Sequence, residues 1–272
     1  MQKLLIAGFG DIARRAAPVL DARFRISRLS RSSGADLDRP DTLRPDGADA
    51  LLHLAPPPRV GDTDSRTANL LAALEKGRIL PRRVVYVSTS GVYGDCGGAR
   101  VDESRPVAPA TPRARRRVDA ERQLGAWCAE RKVGLIILRA PGIYAVNRLP
   151  LERLRAGTPV LRAEDDVYTN HLHADDLAAA CVRALEPDAP AGIYNASDDT
   201  ELRMGDWLDR VADHAQLPRP PRLARSQIKE LNDFMQESRR LDNRRLKAVL
   251  GLRLRYPTVH EGLSHEHAVG VD

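Results

Sequence analysis

The residues with the plainest chemical meaning stand near the amino terminus, in Ile6-Ala7-Gly8-Phe9-Gly10-Asp11-Ile12-Ala13. A short apolar run, Lys3–Ala7, leads into two glycines separated by one residue, and a helical pattern opens behind them. Glycine at the first position permits a tight turn out of a strand. Glycine at the second lets a pyrophosphate approach the backbone without meeting a Cβ, and Ala13 keeps the helix close to the sheet. The first amides of a helix lack intrahelical acceptors and carry partial positive charge. Those of Asp11 and Ile12, next to the bared backbone of Gly8, Phe9 and Gly10, are therefore expected to bind phosphate oxygens. The chemistry implied is capture of a dinucleotide.

Which dinucleotide is read from the end of the second predicted strand, Arg28-Leu29-Ser30-Arg31-Ser32. A ribose 2′-hydroxyl is usually held by Asp or Glu about 20 residues past the glycines. From Phe24 onward the first acid is Asp36. Arg28 and Arg31 instead offer planar cationic forks suited to a 2′-phosphate. The reading favours NADP(H) over NAD(H).

These residues need a scaffold, and the apolar pattern supplies one. Runs at Lys3–Ala7, Phe24–Arg28, Ala50–Leu54, Val84–Ser88, Leu135–Arg139 and Ile193–Ala196 predict strands. Helical patterns intervene near Ile12–Leu20, Ser65–Glu75, Arg113–Glu130 and Asp175–Leu185. Nearly continuous apolar strands alternating with helices predict a parallel sheet covered on both faces. Its natural closure is the doubly wound Rossmann α/β fold. Residues 1–145, completed by about 167–196, are assigned to the dinucleotide-binding domain. Residues 146–166 and 197–272 are assigned to a small, mostly helical C-terminal lobe on the substrate side. That lobe carries a helical stretch at Leu202–Ala215, a Pro-rich joint at Leu217–Pro221 and an arginine-rich run to Leu250.

Composition narrows the partners. Net charge is +6, from 43 basic and 37 acidic residues. The sharpest basic run, Arg113 to Arg117, leads straight into Asp119 and Glu121, so no nucleic-acid partner is expected. No apolar run approaches the roughly 18 to 20 residues of a membrane span. The opening apolar stretch stops at Gly8, short of the about 7 to 15 residues of a signal-peptide core, and reads as the first strand. Cys96, Cys128 and Cys181 show no paired spacing, which argues against a disulfide framework and against a metal site. A reduced, cytoplasmic setting is expected.

Further segments carry a resemblance. They are Leu51-Leu52-His53-Leu54-Ala55, Ser88-Thr89-Ser90-Gly91-Val92-Tyr93-Gly94, Leu138-Arg139-Ala140-Pro141-Gly142-Ile143-Tyr144, and Asn170-His171-Leu172-His173-Ala174-Asp175-Asp176-Leu177. Gly192-Ile193-Tyr194-Asn195 and the closing Leu250-Gly251, Tyr256-Pro257 and Glu261-Gly262-Leu263 complete the series. In this order they resemble the extended short-chain dehydrogenase/reductases, the NAD-dependent epimerase/dehydratase family. The resemblance implies that Leu54, Ala55 and Pro56 line the adenine and ribose side, and that Pro141, Gly142 and Ile143 pass beside the nicotinamide. It implies that Thr89 is the catalytic hydroxyl that hydrogen-bonds the reacting oxygen. The alternative for Thr89 is a strand-end hydroxyl satisfied by local backbone. His53 and His173 fall where the family has structural histidines, and Asp175 and Asp176 read as helix N-terminal carboxylates.

The resemblance fails at the family's Tyr-x-x-x-Lys pair. Counting back from Glu121, which matches a family Glu, Lys falls on Arg117 and Tyr on Arg113. Arginine stays protonated and cannot act as a general acid or base. Arg117 keeps the capacity to bind a ribose hydroxyl, whereas Arg113 cannot replace a tyrosine in proton transfer, and its removal is expected to matter little. At i, i+4 and i+8, Arg113, Arg117 and Glu121 read as a solvated, salt-linked helix face. The Asp-Glu pair that family dehydratases carry after the catalytic Thr is replaced by Ser90 and Gly91, which disfavours dehydration. A different acid is required, with Tyr93 and Tyr144 as candidates.

Two functions follow. One is an atypical NADP(H)-binding oxidoreductase or epimerase-like protein acting on a small carbonyl or sugar-type substrate. The other is a non-catalytic dinucleotide-binding sensor or partner-binding protein. Either a monomer or a homodimer is compatible with the charged Arg113–Glu130 helix.

Overall fold

A computed structural model of the chain describes residues 1–228 and 235–269. Its centre is a six-stranded sheet of β1 (Gln2–Ala7), β2 (Phe24–Leu29), β3 (Ala50–His53), β4 (Arg83–Thr89), β5 (Gly134–Ala140) and β6 (Gly192–Asn195). The strand order is β6-β5-β4-β3-β1-β2, and every neighbouring pair is parallel. The chain starts mid-sheet, winds outward to β2, then crosses to the other side of β1. At that reversal the loops leaving β1 and β3 diverge and leave a crevice at the carboxyl ends of the strands.

Both faces are buried, and period-two alternation sorts the strand residues between them. Leu4, Ile6, Leu52, Val85, Ile136 and Leu138 face α1 (Asp11–Asp21) and α4 (Ala174–Ala184). Leu5, Leu51, Val84, Tyr86 and Ile137 face α2 (Ser65–Lys76) and α3 (Pro112–Arg131). Each large apolar side chain buried in this way contributes about 1.5–3 kcal/mol. That is why these strands read as unbroken apolar runs.

A second core gathers Tyr144, Leu154, Val160, Leu161, Trp207, Leu208, Val211 and Val259 around α5 (Met204–His214). This region is not purely helical. Val160–Leu161 pairs with Arg222–Leu223, and Tyr168–Thr169 pairs with Leu202–Arg203. The returning chain at Arg240–Leu241 pairs with Arg100–Val101, which brings residues 237–239 over the carboxyl end of the sheet. Among the described residues no helix is long and apolar enough to cross a membrane.

Candidate functional site

Two different constraints hold the glycines. Gly8 has φ +90°, and a Cβ there would lie 2.6 Å from the Ala55 backbone nitrogen. The crowding arises because Leu54 and Ala55 both donate to the Ala7 carbonyl, at 2.8 and 2.9 Å. Gly10 is different: its φ is −93°, it precedes α1 with no side-chain cap, and a Cβ would meet nothing within 4 Å. Open space therefore stands before the uncapped amides of Asp11 and Ile12. The Asp11 carboxylate is drawn aside, accepting from Arg15 Nε and Arg148 Nη1, each at 3.2 Å. Burial would raise this carboxyl, but the two guanidiniums outweigh it and hold it below the usual range. The acid at the helix start is thus paired with two guanidiniums.

From this loop a cleft of about 560 Å³ runs along the carboxyl ends of the strands. Gly8, Phe9, Gly10, Asp11 and Ile12 line one end, Leu54, Ala55 and Pro56 a side, and Thr89, Arg117, Pro141 and Ile143 the far end. Arg31 also lines it, with Ser30 and Ser32. Arg28 stands outside this wall: it is exposed, and its guanidinium carbon lies 3.9 Å from the centre of the Phe9 ring. Gly142 lines an adjoining pocket instead.

α3 corrects the reading of a solvated arginine face. The helix is capped by Thr111 Oγ1, which accepts from the Ala114 amide at 3.1 Å, and Pro112 opens its first turn. Arg113 at this end is exposed, but Arg117 is only 9% and Glu121 only 8% exposed. Arg117 Nη1 donates to Tyr86 Oη and to the Val87 carbonyl, both at 2.9 Å. Glu121 accepts from Ser88 Oγ at 2.6 Å and from Arg139 Nη2 at 2.7 Å. Buried charges need partners of this kind, and those partners come from the sheet below rather than from helix neighbours. Arg117 is also too deep to be a surface cation; it anchors the floor of the cleft.

The histidines are structural. His53 is fully buried, its Nε2 lies 2.9 Å from Thr67 Oγ1, and desolvation, aided by the charge of Arg117, pushes it down to about 3. A ring that stays neutral at every working pH is no general base. His173 caps α4, its Nδ1 accepting from the Asp175 amide at 3.1 Å. Asp176 does not cap that helix. It accepts from the Arg255 and Tyr256 amides at 2.7 and 2.9 Å and tethers the returning chain. Asp175 pairs with Arg15 at 2.5 Å.

Thr89 ends β4 facing both cavities, and the Gly91 amide donates to its Oγ1 at 3.3 Å. The local-backbone bond exists, but it uses the hydroxyl only as an acceptor, leaving the proton to donate. Tyr93 and Tyr144 do not serve as the missing acid. Tyr93 is buried with its hydroxyl donating to Asn195 Oδ1 at 2.8 Å, and Tyr144 is buried with its hydroxyl 3.4 Å from the Thr258 carbonyl. Neither lines the cleft or the adjoining pocket.

That pocket, about 290 Å³, shares Thr89, Arg113, Pro141, Ile143 and Arg148 with the cleft. Its other walls include Thr111, Tyr168, Asn170, Glu237 and Arg239. Tyr168, Glu237 and Arg239 carry no motif, and the returning chain brings Glu237 and Arg239 here. Asn170 is legible from its place in the Asn170–Leu177 segment: its Nδ2 donates to the Arg239 carbonyl at 2.9 Å. Among the described residues no group of three or more His, Cys, Asp or Glu side chains is placed to hold a metal ion.

The NAD dependent epimerase/dehydratase family model matches residues 40–197, beginning after the glycine loop. The chain is similar to dTDP-D-glucose 4,6-dehydratase of Homo sapiens, 26% identical over 143 residues. That match takes in 50% of this chain and only 40% of the human protein. Among solved structures, a functionally unknown conserved protein from Silicibacter pomeroyi aligns with TM-score 0.79 and 30% identity over 99% of both chains. RMD from Pseudomonas aeruginosa, complexed with NADPH, aligns with TM-score 0.77 and 20% identity over 98% of both chains, a likeness of fold alone. With more than half its length matched, the chain belongs to the NAD dependent epimerase/dehydratase family.

Proposed function

We propose that this protein is an NADP(H)-binding, atypical oxidoreductase or epimerase-like protein that acts on a small carbonyl or sugar-type substrate. One observation carries the reading: the glycine-loop cleft opens into a second pocket through the walls they share at Thr89, Arg113, Pro141, Ile143 and Arg148. The open space at Gly10 and the uncapped start of α1 fit a pyrophosphate. Arg31, with the Ser30 and Ser32 hydroxyls, suits a 2′-phosphate, while Leu54, Ala55 and Pro56 suit the adenosine side. Pro141 and Ile143 suit the nicotinamide end, and Arg117 a ribose hydroxyl above the Tyr86 ring. When bound, the dinucleotide supplies hydride transfer. The chain itself contributes orientation, with the Thr89 hydroxyl donating to the substrate oxygen.

Likeness to a dehydratase does not transfer the dehydration. Ser90 and Gly91 follow Thr89, so the Asp-Glu pair that family dehydratases use for elimination is missing from these positions.

A specific observation favours a second reading, a non-catalytic dinucleotide sensor. Arg113 and Arg117 stand at the family's Tyr and Lys positions, and the Tyr93 and Tyr144 hydroxyls are engaged elsewhere. The test is NADPH oxidation against a panel of aldehydes, ketones and nucleotide sugars. Turnover above the protein-free rate supports the enzyme. Tight NADPH binding with no turnover across the panel supports the sensor.

A further inference from the structure

With arginine at the family's Tyr and Lys positions, a proton for the reacting oxygen must come from another side chain. The chain has 6 tyrosines, and all but Tyr168 are buried. Tyr168 is half-buried and lines the second pocket together with Thr89. Its backbone amide donates to Ser238 Oγ at 3.0 Å. Its hydroxyl has no hydrogen-bond partner among the described residues and is not one of the orphaned buried polar atoms, so it is open to a ligand or to water. The other groups of that pocket do not fit the task. Arg113, Arg148 and Arg239 keep their protons. Glu237 Oε2 accepts from Arg239 Nη1 at 2.7 Å, so this carboxyl already serves as an acceptor. The aliphatic hydroxyls of Thr89, Ser90, Thr111 and Thr169 can hydrogen-bond, but they ionise far less readily than a phenol.

The Tyr168 ring is also held in place. The strand Tyr168–Thr169 pairs with Leu202–Arg203. The guanidinium carbons of Arg203 and Arg240 lie 4.8 and 4.7 Å from the ring centre, and Arg240 Nε donates to the Gly98 carbonyl at 2.8 Å. Gly98 itself has φ +76°, and a Cβ there would lie 3.2 Å from Cδ2 of the ring, so this turn packs against the ring edge. Such contacts lower the entropic cost of orienting a reacting group. We propose that Tyr168 is the acid that protonates the substrate oxygen, in place of the tyrosine missing from α3. This rests on the oxidoreductase reading and deepens it by naming the proton donor. In carbonyl reduction the substrate carbon accepts a hydride, with its electron pair, from the reduced dinucleotide. The C=O π pair moves onto oxygen, which takes the Tyr168 proton as the phenol O–H bond breaks. The phenolate then regains a proton from water. Thr89 donates to the same oxygen and orients it.

Two measurements on the full chain test this. Treatment with N-acetylimidazole in the absence of dinucleotide, followed by peptide mass mapping, reads the hydroxyl itself. Hydroxylamine-reversible acetylation is expected at Tyr168 and at no other tyrosine; a Tyr168 that stays unmodified overturns the inference. The second is steady-state kinetics on whichever aldehyde, ketone or nucleotide sugar of the panel the parent turns over fastest with NADPH. Tyr168→Phe keeps the ring and its guanidinium contacts, so its melting temperature should stay within about 2 °C of the parent. Its kcat should fall about 100-fold or more. KM, and NADPH affinity followed by fluorescence, should stay within about threefold, because only a proton-transfer group has been removed. A kcat loss under about tenfold, or a loss carried by KM, overturns the inference and leaves the oxidoreductase reading standing. NADPH binding with no turnover by the parent on any panel compound sinks that reading, and the inference with it.

Discussion

Replacing Gly10 by valine separates binding from folding more cleanly than any other change at this site. The backbone of Gly10 has φ −93°, which any residue adopts, and an added Cβ meets nothing within 4 Å. The stability cost is therefore confined to a poorer helix N-cap, about 1 kcal/mol, or roughly 2–4 °C in melting temperature for a chain of this size. Binding fares differently. The valine branches fill the space before the Asp11 and Ile12 amides, which lack side-chain caps. Two amide-to-phosphate hydrogen bonds at about 1.5 kcal/mol each amount to some 3 kcal/mol, a loss of about 100-fold in NADPH affinity. Gly8→Ala supplies the contrast. With φ +90° and the Ala55 nitrogen 2.6 Å from the new Cβ, it should lower the melting temperature clearly more than Gly10→Val does. Fluorescence titration with NADPH and thermal melts of both variants decide the matter. A folded Gly10→Val protein that binds NADPH within threefold of the parent would refute the phosphate-loop assignment.

Three further outcomes are expected. Arg31→Asp should shift preference towards NADH by about tenfold or more, since it replaces a cationic fork with an acid suited to a ribose hydroxyl; a parent that already prefers NADH in calorimetric titration removes the basis for this. Glu121→Ala should cost about 3–5 kcal/mol, because it leaves the Arg139 guanidinium buried without its carboxylate; a melting temperature within about 3 °C of the parent contradicts that. His171→Phe should flatten the acid limb of stability. The buried ring is pushed down to about 3 by desolvation, so its stabilising contribution is complete above pH 6.5 and is lost as pH falls towards 3. At pH 5 the loss is about 2 kcal/mol. Buried carboxyls with raised values, Asp198 and Asp176 among them, oppose the trend but are common to both proteins and cancel in the comparison. Parallel melting-temperature curves between pH 7.5 and 5 count against this account of His171.

The sheet and its glycine loop were legible because their causes are local. Unbroken apolar strands follow from burial on both faces, and Gly8 and Gly10 occupy a turn whose geometry depends on adjacent residues. Period alone could place Arg113, Arg117 and Glu121 on one helical face, but not say what that face meets. Glu121 finds Ser88 and Arg139 on the sheet, so two of the three charges read as solvated, Arg117 and Glu121, are buried. The same limit hid the second pocket. Glu237 and Arg239 lie far in sequence from Thr89 and meet it because Arg240–Leu241 pairs with Arg100–Val101. Tyr93 and Tyr144 were attractive acids for their nearness to family motifs. Burial turns both inward, and a hydroxyl that is buried must find a partner there.

The most direct test is a crystal structure of the protein grown with NADPH. The account predicts the pyrophosphate on the Asp11 and Ile12 amides, the 2′-phosphate at Arg31, and the nicotinamide between Thr89 and Pro141. A cleft without density at saturating NADPH, or a dinucleotide bound anywhere else, would contradict it.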